Sequence, residues 1–122
     1  MLDTSKIDHG IAAHARWKYR LMAAIETGKS EWTVSGMRSD DQCEFGKWFL
    51  ALPLSDRLSE HWRKIKDLHT EFHKTASEVL ELALAGRKEE AEAAMSLGSR
   101  FASISSDLTM AMTAWKEASS EG

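Results

Sequence analysis

The sequence predicts an all-α protein, an antiparallel four-helix bundle with an additional short helix that carries the single cysteine. Three observations lead there. Apolar residues recur at threes and fours over three long stretches, the spacing that places them on one face of a helix. One proline and seven glycines in 122 residues leave those stretches largely uninterrupted. No stretch alternates with the period of two that a half-buried strand requires, and there is no internal repeat or low-complexity tract. Long amphipathic helices joined by brief loops bury their stripes by packing antiparallel.

The first helix is predicted from about Lys6 to Thr27 on the stripe Ile7, Ile11, His14, Trp17, Leu21 and Ile25, and Gly28 closes it. Lys29 to Ser39, with Gly36 and three serines, reads as loop. A short helix follows, capped by Asp40 or Asp41 and carrying Cys43, Phe45, Trp48 and Phe49 as far as Pro53. A long helix opens at Ser55 and runs to about Ala85. Its stripe is Leu58, Trp62, Ile65, His69, Phe72, Ala76, Val79 and Ala83, with Gly86 as the stop. The last runs from about Lys88 to Lys116 on Leu97, Phe101, Ile104, Leu108, Ala111 and Trp115, with a kink or close approach at Gly98.

The 122 residues fit one domain, 1–122, large enough to bury a core. Hydrophobic residues at 43% and charged residues at 29% give a globular balance that excludes disorder. With a net charge of −3 and no basic stripe, a nucleic-acid partner is not expected. No apolar run reaches the roughly 20 residues that span a bilayer, and the first ten residues lack signal-peptide order. A lone thiol suits a reducing compartment, so a cytoplasmic location is expected, without direct membrane insertion.

His14, Cys43, His69 and His73 are candidate metal ligands. His69 and His73 stand one helical turn apart on one face. Three imidazoles and a thiolate complete a tetrahedral shell for Zn2+ and leave no position for a substrate. Cys43 is placed in the first turn of its helix, where backbone N–H groups favour a thiolate. Buried imidazoles need partners for both nitrogens, and a shared cation offsets their desolvation. From residue types alone, a metal site and a plain core cluster both stay open. Di-iron bundles use Glu-x-x-His, yet Lys6, Ile11, Leu58, Lys66 and Thr70 stand three places before the five histidines. His9 and His61 read as surface residues. A Cys–His nucleophile would lack an oxyanion hole and a glycine-rich loop, so no enzyme is expected.

Three blocks, His14-Ala-Arg-Trp17, Cys43-Glu-Phe45-Gly46-Lys-Trp48 and His69-Thr-Glu-Phe-His73, resemble the chemoreceptor zinc-binding (CZB) domains of bacterial signalling proteins. The family pattern is a histidine with an aromatic three places on, then Cys-x-apolar-Gly-x-aromatic, then His-x-x-x-His. Order and separation agree as well. The resemblance implies that His14, Cys43, His69 and His73 bind zinc in a four-helix bundle with the Cys-bearing helix set across it. It also implies a homodimer attached to an output module, a chemoreceptor signalling region or a diguanylate cyclase. The expected signal is zinc or an oxidant such as hypochlorous acid acting at Cys43.

Several supporting roles follow as expectations. Gly46 permits close approach or movement of the Cys43 segment, Trp17 and Trp48 roof the site, and Asp41, Glu44 or Glu71 accepts the second N–H of a ligating histidine. The competing reading is a helical dimerisation module with a purely structural zinc, for which Met110, Met112 and Trp115 are the candidate interface, residues that fit the core equally well.

Overall fold

The structure, a computed structural model, describes residues 3–39 and 43–121, with side chains to 119. Helix α1 spans Thr4–Thr27. Asp3 caps it by accepting from the Ser5 N–H at 3.1 Å, and Gly28 ends it at φ 71°, where its N–H reaches the Ala24 carbonyl. Ile7, His14, Trp17, Leu21 and Ile25 are buried along the face the periodicity predicts.

The stretch expected to be loop contains a five-residue helix, α2, Val34–Arg38. Thr33 caps it through the Gly36 N–H at 3.0 Å, and Met37 is its buried residue. One turn is too short to show an apolar period, which is why the sequence reads as loop there. Helix α3 spans Glu44–Leu50. Asp40 and Asp41, expected as its caps, lie outside the described residues. Cys43 is not in the first turn but is itself the N-cap, with extended backbone and Sγ accepting from the Gly46 N–H at 3.2 Å.

The single long helix expected from Ser55 is two. Helix α4 spans Leu54–Arg57 and α5 spans Glu60–Leu84. Ser59 breaks the run because its hydroxyl caps α5, accepting from the Trp62 N–H at 3.1 Å. Leu58, placed on the stripe by spacing, is consequently 56% exposed. At the far end Gly86 adopts φ 78°, while the Arg87 N–H reaches the Leu82 carbonyl and that of Gly86 reaches Ala83, a Schellman stop.

The last predicted helix is likewise divided, into α6, Lys88–Met95, and α7, Arg100–Glu121. Gly98 at φ 85° is part of a full break rather than a kink, and Leu97 points to solvent. Helix α7 then resumes the predicted face with Phe101, Leu108, Ala111 and Trp115 buried.

These pieces make four rods: α1, then α2 with α3, then α4 with α5, then α6 with α7. Their directions follow from cross-rod pairs. Arg38 meets Ser77, Met37 meets His73, Cys43 meets His69, and the Phe49 carbonyl meets Trp62. Positions climb on one rod as they fall on the other, so the Cys-bearing rod runs antiparallel to α5. Helix α7 opposes α5, because its start lies beside the middle of α5 through Glu71–Arg100 at 2.5 Å and Phe72–Phe101, while Phe49 meets both Trp62 at the start of α5 and Trp115 near the end of α7. Helix α7 opposes α1 as well, with Lys116 on Asp8 at 2.9 Å and Met112 beside Gly10. The all-α bundle is therefore as predicted. Large rings of α3 fill the gap to the neighbouring rods: Phe49 stacks on Trp62 at 4.7 Å and Trp48 lies 5.9 Å from Trp115.

At Gly10 the missing side chain sets a packing distance between helices. A Cβ there would fall 2.8 Å from Met112 Cε and closer still to the Phe45 ring. Of the three residues open to either a dimer face or the core, Met112 and Trp115 are 0% and 2% exposed and belong to the core, which leaves Met110 at the surface. Among the described residues no helix is long and apolar enough to cross a membrane.

Candidate metal centre

Three rods bring the four predicted residues together. His14 comes from the middle of α1, Cys43 from the N-cap of α3, and His69 and His73 from successive turns of α5. One potential ligand atom from each lies within 4.8 Å of all the others. His69 Nε2 stands 3.4 Å from Cys43 Sγ and 3.2 Å from His73 Nε2. With Zn–N bonds of about 2.0–2.1 Å, a regular tetrahedron has N···N edges of about 3.3–3.4 Å. The closest spacings are those of a coordination shell. His9 and His61 are exposed and outside the cluster.

The three imidazoles are 0–4% exposed, and burial sets the charge of His14 and His69. Burial, reinforced by neighbouring His73, lowers the His14 pKa from 6.5 to about 4. Burial first, then His14, His73 and Lys66, lowers that of His69 to about 2. A protonated imidazole has no lone pair for a cation, so a ring held neutral at neutral pH is a ring ready to ligate.

The tautomers are fixed by backbone carbonyls. His14 Nδ1–H donates to the Gly10 carbonyl at 2.7 Å, and His73 Nδ1–H donates to that of Met37 at 2.9 Å. Both bonds place a proton on Nδ1 and turn Nε2 toward the cluster. His14 Nε2 is buried with no hydrogen-bond partner among the described residues, which a ring present only for packing would not favour. The donor set and this orphaned nitrogen fit a bound Zn2+. His69 Nδ1 is also buried without a partner among the described residues.

Two of the expected carboxylate partners, Glu44 and Glu71, do not fill that outer role. Glu71 faces outward and binds Arg100, Glu44 is exposed, and Asp41 lies outside the described residues. Gly10 and Met37 take their place. Gly10 stands one turn before His14, a helical relation that could have disclosed it; nothing in the sequence marks Met37. The rings against the histidines are Phe45 and Phe72, 5.5 and 5.1 Å from His14. Trp17 and Trp48, expected as the roof, line instead a cleft of about 480 Å³ that reaches His14, Cys43 and His73 from the surface. Gly46, expected to ease helix approach, is buried and gives its N–H to Cys43 Sγ, the contact a thiolate accepts.

Fold and cluster together make a helical bundle with a three-histidine, one-cysteine cluster of the kind that holds a metal ion. The profile of the chemoreceptor zinc-binding domain family, CZB, matches residues 14–80, more than half of the chain and all four cluster residues. The chain belongs to that family. No curated protein and no solved structure matches it.

Proposed function

We propose that this chain is a zinc-binding sensory domain of bacterial signal transduction, with His14, Cys43, His69 and His73 as the four ligands of one Zn2+. The observation that carries the reading is the arrangement of ring nitrogens. Nδ1 of His14 and of His73 is tied to a carbonyl, which turns Nε2 of each ring inward toward the cluster. Bound zinc would supply a charge that holds the three rods together and favours the thiolate.

Cys43 is the lever. Its sulfur belongs to the cluster and at the same time caps α3. Oxidation by hypochlorous acid transfers two electrons from the thiolate to chlorine, giving the sulfenic acid and chloride. Oxidised sulfur is a poorer ligand and a poorer cap, so the N-terminus of α3 loosens as the ligand is lost. Zinc occupancy itself shifts the same equilibrium between a tied and an untied second rod. Membership of the CZB family supports an attached output module, a chemoreceptor signalling region or a diguanylate cyclase, and a homodimeric assembly. It supports equally a role without catalysis of its own, in the cytoplasm.

The test is metal content by native mass spectrometry, before and after hypochlorous acid. About one zinc per chain, released as Cys43 oxidises, is the expected result. Protein that takes up no zinc when it is supplied overturns the reading. Zinc that stays bound while Cys43 oxidises, with dimerisation indifferent to both, makes the metal structural.

A further inference from the structure

The cleft beside the cluster has a composition that the metal does not require. Its volume of about 480 Å³ lies within the range of small-molecule sites, roughly 300–1,000 Å³. Trp17, Trp32, Phe45 and Trp48 contribute aromatic wall. Among its described charged residues, Lys6, Arg16 and Arg20 are cations and Glu44 is the acid. Among the described lining residues that is an excess of positive charge, on a chain whose net charge is −3. None of the three cations is held in an ion pair among the described residues.

The geometry also orders one of those cations. The Arg20 guanidinium lies 4.7 Å from the centre of the Trp17 ring and 5.4 Å from that of Trp32, and the two rings meet edge to face at 4.8 Å. Stacking on two rings restrains a side chain that otherwise samples many rotamers, and leaves its in-plane N–H donors available. Trp32 is 43% exposed, large for a tryptophan held only by packing.

We infer that the cleft is a binding site for a small aromatic carboxylate, its flat body against the tryptophans and its carboxylate on Arg16 and Arg20. Planar rings match the walls, and a carboxylate matches the forked donors of arginine. A neutral ligand would leave the cations unused, and a cationic one would be repelled. The inference goes beyond the metal reading and does not rest on it, because cations and rings belong to the chain with or without an ion. A ligand in the cleft would nonetheless lie against Cys43 and His73, within reach of the metal centre.

The test is isothermal titration of the full chain with 2-naphthoate, and with 2-naphthamide as a neutral analogue of the same shape. Zinc content is measured on the same sample, so that a missing metal is not mistaken for a missing cleft. Saturable binding of one naphthoate per chain is expected, about tenfold or more tighter than the amide and weakened by added salt. Arg16→Ala and Arg20→Ala should each weaken it several-fold without changing the helical circular dichroism. Should Arg20→Ala disturb the tryptophan pair, Arg16→Ala, whose side chain stacks on neither ring, still decides the matter. Equal affinity for amide and carboxylate, no saturation, or unchanged affinity in both arginine variants overturns the inference.

Discussion

His73 Nδ1 lies 2.9 Å from the Met37 carbonyl oxygen, and this hydrogen bond joins α5 to the C-terminal end of α2. It gives His73 two attachments, the cluster through Nε2 and the second rod through Nδ1. His14 differs, because its Nδ1 bond to Gly10 stays within α1. The two histidines can therefore be separated by experiment. Both His14→Ala and His73→Ala should lower zinc affinity, read by chelator competition. His73→Ala should in addition loosen residues 33–39 even in metal-free protein. A buried carbonyl that loses its donor costs about 1–3 kcal/mol, so amide exchange in that segment should quicken several-fold in His73→Ala and not in His14→Ala. Equal exchange in the two variants would show that Met37 gains nothing from the ring.

Cys43 combines a cap with its proposed role as a ligand, and serine and alanine divide those functions. Serine restores an acceptor for the Gly46 N–H but binds zinc poorly, whereas alanine provides neither. Both variants should bind zinc far more weakly than the parent. Cys43→Ala should also be less stable than Cys43→Ser by roughly 1 kcal/mol, the usual worth of an N-cap. Denaturant melts of the chelator-treated proteins measure that difference directly. If the helices of either variant were lost altogether, Cys43 would be a structural staple and not a lever.

Gly10 offers a test of sign. It lies inside α1, where helix propensity alone makes alanine more stable than glycine by roughly 0.8–1.0 kcal/mol. Packing opposes this, because the new methyl would press on Met112 Cε at 2.8 Å and more closely on Phe45. Overpacking of a well-filled core costs typically about 1–3 kcal/mol, so Gly10→Ala should be net destabilising. The displaced ring of Phe45 is two residues from Cys43 on α3 and packs on His14 and His69, so zinc affinity should fall as well. A stabilised variant would mean that α1 and α3 stand further apart than described.

The long helices and the four cluster residues were legible because both are written in side chains. Apolar spacing marks the buried face of α1 and α5, and residue type marks a ligand. What was missed is written in the backbone. The outer partners of His14 and His73 are carbonyls of Gly10 and Met37, which every residue possesses and no letter distinguishes. The breaks at Ser59 and around Gly98 were hidden for another reason. An apolar period continues across a short interruption, so Leu58 and Leu97 fell on stripes although both are exposed. Capping chemistry was the overlooked signal: Ser59 holds the Trp62 N–H, and Thr33 holds that of Gly36.

Acid should unfold the metal-free protein sooner than the zinc-loaded one. Burial lowers the pKa of His14 to about 4 and of His69 to about 2, from an ordinary value of 6.5. Between those folded values and 6.5 the unfolded chain binds more protons than the folded one, so stability rises with pH across the window. The contribution of these neutral rings is fully present above 6.5 and is lost progressively as pH falls through 4. Zinc adds its own binding free energy near neutrality, and protons compete for the same nitrogens, so the stabilisation by zinc should shrink over the same span. Denaturant midpoints of chelator-treated and zinc-loaded protein at about pH 7.5, 6 and 5 check both statements, across the range in which histidine ordinarily titrates. A metal-free midpoint that stays level over that range would mean the imidazoles take up protons where they sit, and the cluster would then be far wetter than its burial implies.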